Sequence, residues 1–193
     1  GIVLVTGPTG SGKTTTLYST LKHLATPAMN VCTVEDPIEM VSPEFNQMQV
    51  QTSIDLDFAA GVRTLLRQDP DIIMVGEIRD LETAQMAVQA SLTGHLVLST
   101  LHTNDAPSAV TRLLDLGVPH YLIQSTLTGV VAQRLVRTLC PHCKQATTQD
   151  PLAWNVLTRG WAMPVPAQVY RAVGCLECRN TGFMGRTGIY EMM

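Results

Sequence analysis

The sequence predicts an α/β fold, a mostly parallel sheet covered on both faces, with a small cysteine-bearing lobe appended. Three observations carry this expectation. Short apolar runs at residues 2–5, 31–34, 72–75 and 96–99 alternate with helical patterns, the rhythm of strands joined by crossovers. The runs at 2–5 and 72–75 are apolar throughout rather than alternating, as in strands buried on both faces. Past residue 132 the periodicity fades and two Cys-x-x-Cys pairs follow. A chain of 193 residues with 45% hydrophobic content suffices for one such core, assigned to residues 1–132, and one small lobe, 133–193.

Residues 2–5 read as a buried strand, and the turn Gly7-Pro8-Thr9-Gly10-Ser11-Gly12-Lys13-Thr14 follows it directly. Thr15 opens the helical stretch 15–24 behind that turn. Strand, glycine-rich turn and helix in that order form a phosphate-binding P-loop. Glycines let backbone N–H groups curl around an anion, and the helix N-terminus adds partial positive charge. The expected ligand is therefore a triphosphate, ATP, held by residues 7–15. Lys13 is expected to reach the β- and γ-phosphates and the Thr14 hydroxyl to hold Mg²⁺.

Residues 31–34 form the next strand, in which Cys32 reads as a small core residue. It runs into Glu35-Asp36-Pro37-Ile38-Glu39, three carboxylates within five residues. They lie just past a strand end, where open α/β sheets place their ligands. Either they hold Mg²⁺ through water or orient an attacking water, or they form a solvated acidic turn. Residues 40–57 are irregular; Gln47, Gln49 and Gln51 alternate with Met48 and Val50 as in a short edge strand, without a role the pattern assigns. Asp57 is placed to cap a helix with Phe58, Val62, Leu65 and Leu66 on one face. Arg63 and Arg67, four residues apart, contact nucleotide or acidic neighbours or else are solvated.

The apolar run 72–75 ends in Gly76-Glu77-Ile78-Arg79-Asp80. An apolar strand closing on an acidic residue, about sixty residues after a P-loop, is the Walker B pattern. Glu77 is then placed to act on Mg²⁺ and the hydrolytic water, with Arg79 steadying the phosphates or the Glu77 carboxylate. Asp80 caps a helix in which Leu81, Ala84, Val88 and Leu92 recur before Gly94. The strand at 96–99 leads to His102, either a sensor of the γ-phosphate or a structural histidine. Asp105 and Pro107 open a helix with Ala109, Val110, Leu113 and Leu114 inward, and a further helix is expected over 119–131. Lys13, Glu39, Glu77, Arg79 and His102 would then share one edge of the sheet.

Cys140-Pro141-His142-Cys143 and Cys175-Leu176-Glu177-Cys178 present two thiolate claws to a tetrahedral Zn²⁺, the alternatives being redox dithiols or incidental thiols. Zinc in such a site is structural, because four thiolates leave no open position. His142 is read as a bystander. The segment between the claws, with Trp154 and Trp161, is expected to fold as its own lobe. Gly182, Gly185 and Gly188 suggest a turn-rich return. A net charge of −3 lacks the basic footprint of a nucleic-acid binder. No apolar run approaches the roughly 20 residues that cross a bilayer. Cysteines beside a P-loop point to the reducing cytoplasm. The abrupt start at Gly1 and end at Met193 are read as the marks of a piece of a longer chain.

Taken together, GPTGSGKTTTLY, VEDPIE, LRQDPDIIMVGEIRD, TGHLVLSTLHTNDA, QRLVRTLCPHC, CLEC and GRTGIYE resemble the secretion ATPases of type II secretion and type IV pilus assembly, the GspE/PilB group. The resemblance runs over most of the chain. It implies a RecA-like core, a homohexameric ring, and ATP bound between subunits or domains. Residues 35–39 would be the family's Asp box, 72–80 its Walker B segment, 94–104 its His box, and Cys140, Cys143, Cys175 and Cys178 its tetracysteine zinc motif. Glu77 would be the Walker B carboxylate and Glu39 the second acidic group that positions water, while arginines from an upstream domain complete the site. Such a motor works at the cytoplasmic face of the bacterial inner membrane. There it drives a platform protein, and it has no direct contact with nucleic acid and only indirect contact with the membrane. Met40 stands where the family has an aromatic residue, and the segment between the claws matches poorly. A retraction motor of the same superfamily lacks the tetracysteine element. A RecA-like DNA motor calls for a basic channel, and a purely structural zinc module leaves Lys13 and Glu77 without purpose.

Overall fold

The structure, a computed structural model, describes residues 1–161 and 163–193. The chain divides into two compact units, Gly1–Arg134 with Gly188–Met193, and Leu135–Thr187. In the first, β1 (Ile2–Thr6), α1 (Lys13–Leu24), β2 (Val31–Glu35), β3 (Asn46–Gln49), α2 (Phe58–Leu65), β4 (Ile72–Val75), α3 (Leu81–Leu92), β5 (Leu96–Leu101), α4 (Ala106–Asp115) and α5 (His120–Thr126) follow one another. The long strand β6 (Leu127–Leu139) then carries the chain into the second unit. That unit holds β7 (Gln145–Thr147), α6 (Pro151–Leu157) and β8 (Val169–Arg171), and the chain returns within β9 (Phe183–Met192).

The main sheet has the order β3-β2-β4-β5-β1-β6-β9. β1 pairs in parallel with β5 and β6, β4 with β5 and β2, and β2 with β3. The last strand is different: Val130 and Met193 exchange both backbone hydrogen bonds, the signature of an antiparallel pair. Parallel pairing of β1, β2, β4 and β5 brings the loops that follow them to one edge.

Two apolar clusters sandwich this sheet. On one face Val34, Val62, Ile73, Val75, Ala84 and Val97 pack under α2 to α5. On the other, Val5, Ile72, Met74 and Leu98 meet Leu17, Tyr18 and Leu21 of α1 and Phe45. Asp57, Asp80 and Asp105 begin their helices as expected, each accepting a hydrogen bond at 2.8 Å, from the N–H of Ala60, Thr83 and Ser108. Among the described residues no helix is long and apolar enough to cross a membrane.

Three local expectations give way. The helix expected over 119–131 stops at Thr126, because Thr128, Gly129, Val130 and Val131 are poor helix formers and the open edge of β1 offers them a ladder. Leu92 and Leu114 remain 57% and 45% exposed: Leu92 is the last residue of α3, and Leu114 lies at the edge of its stripe, one position round the helix from the buried Leu113. The glycine-rich return is a strand, β9, entered through Gly182 at φ 75° and carrying Gly185 at φ 77°.

One close approach yields a test. A Cβ built at Gly61 of α2 would lie 2.6 Å from Val34 Cγ2 on β2. Overpacking a stiff β-branched neighbour costs about 1–3 kcal/mol, more than the gain of up to about 1 kcal/mol that alanine brings to a helix. Gly61→Ala is therefore expected to lower the melting temperature by several degrees in a calorimetric scan, and an unchanged or higher value would refute this account of the contact.

Candidate functional site

The turn between β1 and α1 needs its glycines: Gly7, Gly10 and Gly12 have φ of 146°, 76° and 87°. A Cβ at Gly7 would also meet Ser11 Oγ at 2.7 Å. Gly12 is the N-cap of α1 and no side chain caps that helix, so the N–H groups of its first turn are left for another partner. Lys13 is buried, with Nζ donating to the carbonyls of Gly7 at 2.9 Å and Pro8 at 3.2 Å. Burial pushes its pKa down, and the carboxylates of Glu77 and Glu39 draw it partly back. Ser11 Oγ is a buried oxygen with no hydrogen-bond partner. A cradle of this kind, with uncapped N–H groups, a buried ammonium and an unpartnered hydroxyl, suits an anion such as a polyphosphate. Pro8, Thr9, Gly10 and Thr15 are exposed around it, and Thr14 is half-buried.

The other predicted residues come from the neighbouring loops. Glu77, past the end of β4, has only 13% of its side chain exposed. It pairs with Arg79, and its Oε2 lies 3.3 Å from His102 Nε2 in the loop after β5. The hydrogen bond to the Glu77 carboxylate raises the pKa of the Arg79 guanidinium; burial works against this, and the charges of Glu77 and Asp36 add to the rise. Glu77, Arg79, His102 and Arg112 line an open cleft of about 670 Å³ that Lys13 does not line. Glu39 sits in the exposed acidic loop after β2, near enough to Lys13 to act on its charge. Glu35 does not join it. Its carboxylate is buried under α1, where it accepts from the Tyr18 hydroxyl at 2.8 Å and the Thr33 hydroxyl at 2.6 Å. Arg63 pairs with Glu82 at 3.3 Å on the surface, a contact worth at most about 1 kcal/mol, and Arg67 is exposed.

Two supports escaped the sequence reading. Gln133 of β6 donates from Nε2 to the Ser11 carbonyl at 2.7 Å and accepts from the Thr16 hydroxyl at 2.7 Å, so it braces the glycine-rich turn. Thr6 donates to the Leu101 carbonyl at 2.9 Å and accepts from the Thr103 N–H at 2.9 Å, tying the end of β1 to the His102 loop. Both act across more than ninety positions of chain, where no local pattern reaches.

In the second unit all four cysteine sulfurs lie within 4.8 Å of one another. Sulfur pairs stand 3.9 Å apart for Cys140 and Cys175, 3.8 Å for Cys143 and Cys178, and 3.8 Å for Cys175 and Cys178. Four sulfurs at about 2.3 Å from a tetrahedral zinc have edges of about 3.8 Å, so the donor set fits that ion. Burial works against charge on Cys178, but N–H groups of Cys175 and Gly182, each about 3.2 Å from its sulfur, prevail and pull its pKa down to about 6. His142 is exposed and outside the cluster. In the same unit the Arg137 guanidinium lies 3.8 Å over the Phe183 ring and Lys144 Nζ 4.8 Å over Tyr170.

The chain is 67% identical over its whole length to the type IV pilus assembly ATPase TfpB of Acinetobacter baylyi, of which it spans 33%. It is 57% identical to the type II secretion system ATPase E of Vibrio cholerae, of which it spans 38%. The chain thus spans about a third of the length of these relatives. Among solved structures, the pilus retraction motor PilT with bound ADP is similar over 73% of this chain and 44% of that one, with a TM-score of 0.65 and 40% identity. A family model described as "Type II/IV secretion system protein" matches residues 1–193 from end to end, and the chain belongs to that family.

Proposed function

We propose that this chain is the ATP-hydrolysing part of a motor for type II secretion or type IV pilus assembly. The observation that carries the proposal is the Lys13 ammonium, buried at the glycine-rich turn and within the field of both Glu77 and Glu39. The backbone of residues 7–13 and the N–H groups that open α1 bind the β- and γ-phosphates, with Lys13 on their charge and Thr15 at the rim. The Thr14 hydroxyl and Glu77 are the groups that hold Mg²⁺, which when bound neutralises charge on the phosphate oxygens. Water attacks the γ-phosphorus as the bond to the bridging oxygen breaks, ADP departs, and Glu39 orients that water and takes its proton. Arg79 and His102, both on the Glu77 carboxylate, hold it in place and sense the γ-phosphate through it.

Zinc on Cys140, Cys143, Cys175 and Cys178 is structural in this reading. The division of labour is a nucleotide core, Gly1–Arg134 with Gly188–Met193, and a zinc subdomain, Leu135–Thr187. The working assembly is a homohexamer at the cytoplasmic face of the bacterial inner membrane, engaged with a platform protein. What its relatives are named for supports pilus assembly or protein export as the work performed. A retraction motor is the second reading, favoured by the likeness to PilT and weakened by the tetracysteine cluster.

Glu77→Gln in the chain as the cell makes it tests the site. ATP binding is expected to persist while turnover falls on the order of 100-fold or more, as when a group that acts in the transition state is lost. Turnover within about threefold of wild type would remove Glu77 from the mechanism. Cells carrying a dead variant then separate the machines: loss of surface pili with normal secretion names pilus assembly, and the reverse names type II secretion.

A further inference from the structure

The glutamines of β3 were the one regular pattern in the sequence without a task, and the structure gives one of them several contacts. Thr33 and Glu35 of β2 face α1, and Gln47 projects from the adjacent edge strand to meet them. Its Nε2 donates to the Tyr18 hydroxyl oxygen at 2.8 Å and to the Met40 carbonyl at 2.9 Å, and lies 3.3 Å from Glu35 Oε1. Its Oε1 accepts from the Ser42 N–H at 2.7 Å. Gln49 Oε1 accepts from the Ile38 N–H at 3.3 Å.

The directions of these bonds make them one unit. The Tyr18 hydroxyl gives its hydrogen to the Glu35 carboxylate, 2.8 Å from each oxygen, which leaves its lone pair free to accept from Gln47. Burial and the Glu35 bond both raise the Tyr18 pKa, so the phenol stays a donor. Tyr18 belongs to α1, the helix that starts at Lys13, and its ring packs on Phe45 with centroids 6.0 Å apart. Met40 and Ser42 belong to the loop that carries Glu39. That loop has no regular secondary structure; Phe45 anchors its far end in the core, whereas Asp36, Glu39, Met40 and Val41 at its near end are exposed, so little apolar burial holds the part that carries Glu39.

We propose that Gln47 is a positioning residue for hydrolysis: its amide ties the loop bearing Glu39 to the helix bearing Lys13, and so sets the Glu39 carboxylate against the phosphate cradle. The inference rests on the ATPase reading. A carboxylate that orients water must stay within hydrogen-bond reach of it, and misplacement by about 1 Å costs on the order of 100-fold in rate. Gln47 touches neither nucleotide nor water in this scheme, so its removal changes turnover without changing nucleotide affinity.

The experiment is Gln47→Met in the chain as the cell makes it, beside wild type, Lys13→Ala and Tyr18→Phe. Melting temperature, ATP affinity, KM and kcat are measured, with amide hydrogen exchange over residues 38–42. Methionine keeps the length of the side chain and removes both polar ends. The expected result is a fall in kcat of about 10- to 100-fold, ATP affinity and KM close to wild type, and faster exchange at the Ser42 amide. An unchanged kcat overturns the proposal, as does a loss of ATP affinity in step with kcat, which marks a general structural role. Should Gln47→Met fail to fold, Tyr18→Phe decides, because it keeps the ring on Phe45 and removes the shared hydroxyl. A several-fold loss of kcat at unchanged KM supports the tie, and wild-type kcat overturns it. If wild type hydrolyses no ATP, or Lys13→Ala hydrolyses it equally fast, the ATPase reading itself falls, and this inference with it.

Discussion

Lys13→Ala is expected to abolish ATP hydrolysis. Its ammonium is buried among the carbonyls of Gly7 and Pro8, in position to leave them for a phosphate without crossing solvent. Burial lowers its pKa, which is the cost of keeping a charge there; Glu77 and Glu39 offset part of that cost before any ligand arrives. A bound triphosphate adds far more negative charge at the same place. Removing a preorganised charge aimed at a transferring phosphoryl group costs on the order of 10²- to 10³-fold in kcat for a single donor, and more where ground-state binding is lost as well. The fold should survive, because Leu17, Tyr18 and Leu21, not Lys13, hold α1 to the sheet. The check is steady-state hydrolysis with Mg²⁺ present, together with a melting curve to show that the variant is folded. Turnover within about tenfold of wild type would sink the assignment of this turn as the phosphate site.

The second large effect is expected in the other unit. Cys140→Ser or Cys178→Ser should release zinc and unfold residues 135–187 while leaving nucleotide binding by the first unit in place. Structural zinc sites of this donor type contribute apparent binding energies of about 10–16 kcal/mol, which are folding energies where no preformed site exists in the unfolded chain. Among the described residues this unit has little else: α6 buries none of its residues, and β7 and β8 form a two-stranded ladder of three residues each. Two-stranded ladders alone are marginal in water. Cys140 and Cys178 are its buried cysteines, so either substitution removes a thiolate ligand shielded from solvent and leaves a hydroxyl, a poor ligand for zinc. The measurements are metal content of protein purified under reducing conditions, expected near one zinc per chain for wild type and near zero for either variant, and limited proteolysis within 135–187. A wild-type protein free of zinc under those conditions would end the structural-zinc reading.

The contrast between Glu39 and Glu35 shows where sequence reasoning stops. As sequence they are two acids of one acidic segment, and both stand past an apolar strand. In the structure Glu39 is exposed in the loop, whereas Glu35 is the last residue of β2 and is buried under Tyr18. The strand period decides this: Thr33 and Glu35 point to the α1 face, and a carboxylate there persists only because hydroxyl donors satisfy it. Gln47 and Gln133 were illegible for a related reason. Each is a neutral amide whose meaning lies in partners on other elements, and a glutamine in a short polar strand looks the same whether it braces a loop or faces water.

By itself the sequence determined the local chemistry: the strand, glycine turn and helix that begin the chain, the three aspartate caps, the acidic end of β4, and the four thiols in two pairs. These are short-range choices in which backbone sterics, orphan N–H groups and ligand spacing act within a few residues. The tertiary structure alone decided that residues 127–131 pair as strand beside β1, that β6 and β9 widen the sheet, and that His102 joins Arg79 on the Glu77 carboxylate. Pairing across a sheet and the burial of a polar side chain are set by neighbours brought from far along the chain, and a buried polar group must find its partner wherever the fold places one.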